Sequence, residues 1–289
     1  MMMRWIGLTG ALVMMSVGAV CLGLSGCETN PYTGRSQLLM TSVSDELQMG
    51  AQAYAQVKND PKMKMSQDPR EVEPVKRVAA RIIEAAKKSK YADMAQQFTW
   101  EVTVIKDDKT MNAFALPGGK IAAYTGIFPV AKNEAGLAAV MGHEVVHALA
   151  RHGAERMSQN MATQVGLQTV GIALGVSGSD PVLSQGAMAA LGAGAQVGVL
   201  LPFSRAHESE ADYIGMILAA EAGYDPREAV HVWERMEQMS SGGQSEFLST
   251  HPSHGTRIKD LQEKMNEALA RYHPQPGAKA ADLPVVLPR

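Results

Sequence analysis

Residues 143–147 read His-Glu-Val-Val-His, inside a run whose apolar residues Leu137, Val140, Met141, Val145, Val146 and Leu149 recur at helical spacing. On a helix, side chains four apart point to one side, one turn apart, so His143 and His147 face the same way. Two imidazoles placed like that can hold one zinc ion. Glu144, one position along, can meet a water at that ion as general base. The pentapeptide alone also arises by chance on solvated helices. This helix is largely apolar, however, and two histidines and a glutamate buried there without partners would be costly. The fold must therefore bring partners to this helix.

A hydrolytic zinc site needs a third protein ligand and an open position. The best candidate is Glu208, in Ser204-Arg205-Ala206-His207-Glu208-Ser209-Glu210-Ala211-Asp212. Asp212 lies four positions on, on the same helix face. One carboxylate can ligate zinc while the other accepts the N–H of a ligand histidine and fixes its tautomer. Glu210 points elsewhere and reads as a surface or structural carboxylate. His207 turns off the shared face. Taken alone, this stretch reads as a charged, solvated helix.

Four segments in order carry a resemblance. They are Asn112-Ala113-Phe114-Ala115-Leu116-Pro117-Gly118-Gly119, the lead Asn133 to Gly142 into HExxH, Ser204 through Asp212, and Leu248-Ser249-Thr250-His251-Pro252. Together they resemble the forty-eighth metallopeptidase family, the gluzincins that include HtpX, the CaaX proteases and mitochondrial Oma. Within it the closest look is to the envelope lipoproteins LoiP and BepA. The resemblance runs from about Asn30 to about Leu261. It implies an α+β, mainly helical zincin-like domain with a small sheet whose edge strand borders the zinc cleft. It also implies one zinc on His143, His147 and Glu208, with Glu144 as base, which agrees with the spacing argument. Substrate would lie as an extended strand along the segment Asn112–Ala115, held by main-chain hydrogen bonds. His251 has three readings. It can occupy the open position of the zinc and hold the enzyme off, donate to the oxyanion, or be a loop histidine beside Pro252.

The N-terminus bears on location. Arg4 precedes a weakly hydrophobic stretch, Ile6 to Leu24, broken by glycines, and Leu24-Ser25-Gly26-Cys27 resembles a bacterial lipoprotein box. The expectation is a signal peptide over 1–26, cleavage before Cys27 and lipid on its thiol and amino group. The competing reading is an uncleaved span, since nineteen residues just cross a bilayer. Glu28 follows Cys27, where Asp would favour inner-membrane retention; the resemblance to Gram-negative sorting points to the outer membrane, facing the periplasm. Cys21 and Cys27 are the only cysteines. With Cys21 lost, no disulfide and no cysteine ligation of zinc are expected.

The rest of the chain sets the frame. A net charge of −2 and no basic run give no support for nucleic-acid binding. Periodicity predicts a helix capped by Ser44, another through Val72–Ala86, and strands at Phe98–Val104, Met111–Ala115 and Lys120–Thr125. It also predicts the active helix capped by Asn133, and helices near 205–222, from Asp225-Pro226, and over 254–271. A peptidase domain over 27–272 would end in a Pro-rich loose tail, 273–289. Residues 157–201 are almost uncharged apart from Asp180, with small residues four apart. They read as a helical hairpin that packs in the core or rests against a membrane or partner. The function implied is envelope quality control, degrading misfolded or misassembled envelope polypeptides. The rival is an outer-membrane assembly factor or chaperone that binds zinc but is held inactive by His251, in contact with the assembly machinery.

Overall fold

The computed structural model describes residues 27–173, 201–240, 247, 251, 255–274 and 282–284. The first two strands, β1 (Cys27–Thr29) and β2 (Ser36–Leu38), pair antiparallel. Between them Asn30 is buried, and its Oδ1 accepts from the Tyr32 N–H at 2.9 Å, closing a local turn. The segment from Asn30 to Met40 is thus packed against the domain, more than the polar lead its composition suggests.

Ser42, two residues before the expected cap, closes α1 (Val43–Asn59) by accepting from the Asp45 N–H at 3.1 Å, with Asp45 and Glu46 at the positive end. In α2 (Pro69–Ala86), capped by Asp68, Val75, Val78, Ala79, Ile82 and Ile83 turn inward at intervals of three and four. A short α3 (Ala92–Gln97) leads to the sheet. There β3 (Glu101–Ile105) runs parallel to β5 (Lys120–Tyr124), and β4 (Ala113–Leu116) pairs antiparallel with the other side of β5. The order β3-β5-β4 buries β5 and leaves β4 at an edge. Gly118 and Gly119, at φ 81° and 79°, make the β4–β5 turn in a region that other residues rarely enter.

Beyond a short α4 (Phe128–Ala131), Asn133 caps α5 (Glu134–Leu149) by accepting from the Gly136 N–H at 2.8 Å. This helix is apolar nearly all round and lies inside the domain. It carries the HExxH. Then come α6 (His152–Ala173) and α7 (Leu201–Glu221). Two glycines, Gly142 of α5 and Gly215 of α7, face each other where these helices pack. A Cβ on Gly142 would stand 2.6 Å from the Gly215 carbonyl oxygen, and one on Gly215 would stand 2.7 Å from the His143 nitrogen. Without side chains there, α7 comes close enough to present Glu208 and Asp212 to the histidines.

The domain closes with α8 (Glu228–Ser240) and α9 (Arg257–Arg271). Both start a few residues later than the sequence suggests: a turn closed by the Glu228 N–H on the Asp225 carbonyl precedes α8, and a turn at Gly255 and Thr256 precedes α9. The expected 157–201 hairpin falls partly on described residues, where 157–173 continue α6; 174–200, like the 1–26 signal, lie outside them. Along α6, Met157, Met161 and Val165 are exposed. Among the described residues no helix is long and apolar enough to cross a membrane. Part of the 273–289 tail returns to the domain. Leu283 is buried, and its N–H donates to the Lys132 carbonyl at 3.0 Å.

Candidate metal centre and active-site cleft

His143 and His147 lie one turn apart on α5, and their Nε2 atoms approach to 3.0 Å. Glu208, from α7, sets one carboxylate oxygen 3.4 Å from each Nε2. His251 adds Nδ1, 3.2 Å from His143 Nε2 and 3.1 Å from Glu208 Oε1. These four residues offer donor atoms that all lie within 4.8 Å of one another. The set is two imidazoles, a carboxylate and a third imidazole, with no sulfur. That donor chemistry and spacing suit zinc.

Asp212 accepts from His143 Nδ1 at 2.9 Å. The proton held there leaves Nε2 of His143 with its lone pair toward the cluster. Arg257, at the start of α9, makes paired 2.6 Å bonds to Asp212 and lies 3.0 Å from Glu208 Oε2. Its guanidinium also sits 3.5 Å over the Trp233 ring. Burial alone would push the His143 imidazole down, but Asp212 and Glu208 overcome it and hold it up at about 9. Burial would raise Asp212, but Arg257 and His143 hold it below the ordinary range. Glu208 is likewise depressed against its burial, by His147, His143 and His251. Burial and the neighbouring imidazoles push His147 well down, against the pull of Glu208. These shifts describe a buried nest in which imidazoles and carboxylates hold one another against the cost of burial.

Glu144 is only 2% exposed. Burial raises its carboxyl, and His251 and His143 counteract this in part. Its Oε1 makes no hydrogen bond and lies 3.4 Å from His251 Nε2. The cleft above is lined by Phe114, Ala115 and Pro117 from β4 and its turn, and by Glu144, His147 and His251. An edge strand thus borders the catalytic glutamate, as an extended peptide would require.

All the residues singled out from the sequence at this centre, His143, Glu144, His147, Glu208, Asp212 and His251, converge. Cys27 lies in β1, paired with Leu38 of β2. Sequence reasoning missed His152, Glu155, Arg35 and Arg257. His152 Nδ1 stands 3.0 Å from His147 Nδ1, and its Nε2 stands 3.1 Å from Glu210 Oε2. Glu210 is buried and structural. His207 is not one of the four donor residues; it is buried and bonds Glu155 at 3.0 Å. For His152 a signal existed: it lies five residues past His147 in Ala150-Arg151-His152. Arg257 and Arg35 had none, since only the fold brings them near.

An HExxH helix met by a glutamate from a later helix, beside an open sheet edge, defines a metallopeptidase cleft. Peptidase family M48 matches residues 69–265. The chain is 38% identical over 245 residues to the mitochondrial metalloendopeptidase OMA1 of Schizosaccharomyces pombe, covering 83% of this chain and 67% of the relative. It is 32% identical over 254 residues to OMA1 of Saccharomyces cerevisiae, covering 84% and 70%. The beta-barrel assembly-enhancing protease of Escherichia coli is 27% identical over 261 residues, covering 89% of this chain and 51% of that protein, so the chain spans about half its length. The chain belongs to peptidase family M48 and is a zinc metalloendopeptidase.

Proposed function

We propose that this peptidase is a lipid-anchored enzyme of the bacterial envelope that degrades misfolded or misassembled envelope polypeptides. The observation that carries the peptidase part is Glu144 buried between the histidine–glutamate cluster and the edge strand β4. His143, His147 and Glu208 would hold the zinc, with Asp212 orienting His143. Bound there, zinc would polarise the scissile carbonyl and lower the pKa of water to about 7, as in well-known zinc enzymes. Glu144 takes the proton of the attacking water and passes it to the leaving amine. The backbone of β4 aligns the substrate with little demand on its sequence, which suits unfolded chains.

The envelope assignment is supported by the Leu24-Ser25-Gly26-Cys27 box and by the likeness to the Escherichia coli protease. On this reading the domain sits at the outer membrane, facing the periplasm. The relatives of higher identity are mitochondrial, so the test is direct. In a Gram-negative host, radiolabelled palmitate should enter the parent chain and not Cys27→Ser. Equal label in both, or none in the parent, removes the anchor.

A second reading has a specific observation behind it. His251 Nδ1 lies among the donor atoms themselves, where a fourth ligand would close the open position. On this reading the enzyme rests closed and opens on contact with a substrate or with the assembly machinery. His251→Ala should raise basal cleavage of an unfolded protein several-fold. A large fall would instead make His251 an oxyanion donor and sink the closed resting state.

A further inference from the structure

Glu208 approaches His147 at Nε2, but among the described residues no carboxylate bonds its Nδ1. Its Nδ1 instead meets another imidazole, His152 Nδ1, at 3.0 Å, and His152 Nε2 meets Glu210 Oε2 at 3.1 Å. The chain is shaped for this contact. Arg151 adopts a left-handed conformation, φ 55°, after the end of α5, and the first residue of α6 is His152. The turn lays His152 against the last turn of the helix that carries His147.

We propose that His152 and Glu210 are positioning residues for the metal centre: Glu210 fixes the tautomer of His152, and His152 fixes that of His147. Glu210 takes two guanidinium bonds from Arg35, at 2.8 and 3.0 Å, and another from the Thr33 hydroxyl. An ionised carboxylate only accepts, so the proton of His152 sits on Nε2. Nδ1 of His152 is then an acceptor. The Nδ1 that faces it on His147 must donate, and the lone pair of His147 is left on Nε2. That atom is the one that faces His143 Nε2 at 3.0 Å and Glu208 at 3.4 Å. The result for His147 matches what Asp212 does for His143, reached through an intermediate ring.

His152 itself is held. It is buried and stacks on His207, ring centroids 4.4 Å apart and 15° from parallel. His207 is bonded to Glu155 at 3.0 Å, and Arg35 bonds Glu155 at 2.6 and 2.8 Å as well as Glu210. One arginine from the turn between β1 and β2 therefore fixes both carboxylates behind both rings.

The relay rests on the zinc centre described above and is separable from it. Zinc affinity of the full chain, by competition with a chelator, would be compared for the parent, His152→Phe and His152→Asn. The Asn oxygen falls near the position of the imidazole Nδ1 and keeps the acceptor. His152→Phe should bind zinc about 10–100-fold more weakly and shift the visible bands of the cobalt-substituted protein. His152→Asn should recover most of the affinity. Parental affinity and parental cobalt bands in His152→Phe would overturn the relay while leaving the zinc centre intact; a parent that binds no zinc would overturn both. Should His152→Phe fail to fold, ring nitrogen NMR of the zinc-loaded parent decides the matter. A proton on Nε2 of His152 is expected, and a proton on its Nδ1 instead would overturn the relay.

Discussion

Glu144→Gln should keep its zinc and lose its hydrolysis. Gln fills the same volume and cannot accept the water's proton. General-base contributions are typically about 10²–10⁴-fold, so cleavage of an unfolded protein should fall by at least about a hundredfold. The expectation is strong because the other carboxylates in and around the cleft are engaged: Glu46, also in its lining, is bound by Arg151 at 2.7 and 3.0 Å. Glu208 is drawn into the cluster, Asp212 is paired with His143 and Arg257, and Glu210 lies behind His152. None of them can stand in for it. Parental cleavage by Glu144→Gln would mean that the base is elsewhere.

Removing zinc should cost stability as well as activity. The cluster buries lone-pair-bearing nitrogens 3.0 Å apart, with a carboxylate 3.4 Å from each. Such an arrangement is favourable around a cation and poor without one. A ligand at a thousand times its dissociation constant stabilises by about 4 kcal/mol. For a chain of this size that is on the order of 10 °C in melting temperature. Calorimetry of the protein before and after chelation measures it. A melting temperature that does not move would show that the folded chain holds no tightly bound zinc, against this account.

The centre was legible in the sequence to the extent that it is local or helical. HExxH and the Glu208–Asp212 pair each fix a face by i,i+4 spacing, and their residue types limit the chemistry. The resemblance supplied the link between them and the edge strand beside the cleft. What could not be read is contact made by the fold. Arg257 reaches Asp212 across the α7–α9 packing, and Arg35 reaches Glu155 and Glu210 from a hairpin more than a hundred residues away. No local spacing encodes either. The Gly142–Gly215 approach is of the same kind: each glycine looks incidental until the two helices are seen to meet there. Ser44 was a sound helix cap by residue type, and Ser42 won because its hydroxyl, not that of Ser44, reaches the Asp45 N–H. Of the two readings of Glu210, surface or structural, the structural one holds: two positions along the helix turn it from the first cluster into a second buried one beside it.

The most direct test of the account is the zinc content of the purified full chain alongside two variants. One zinc per chain is predicted for the parent and for Glu144→Gln, with cleavage in the parent alone, and little zinc in His147→Ala. Stoichiometric zinc that survives the loss of His147, or a parent that cleaves with no zinc bound, would contradict it.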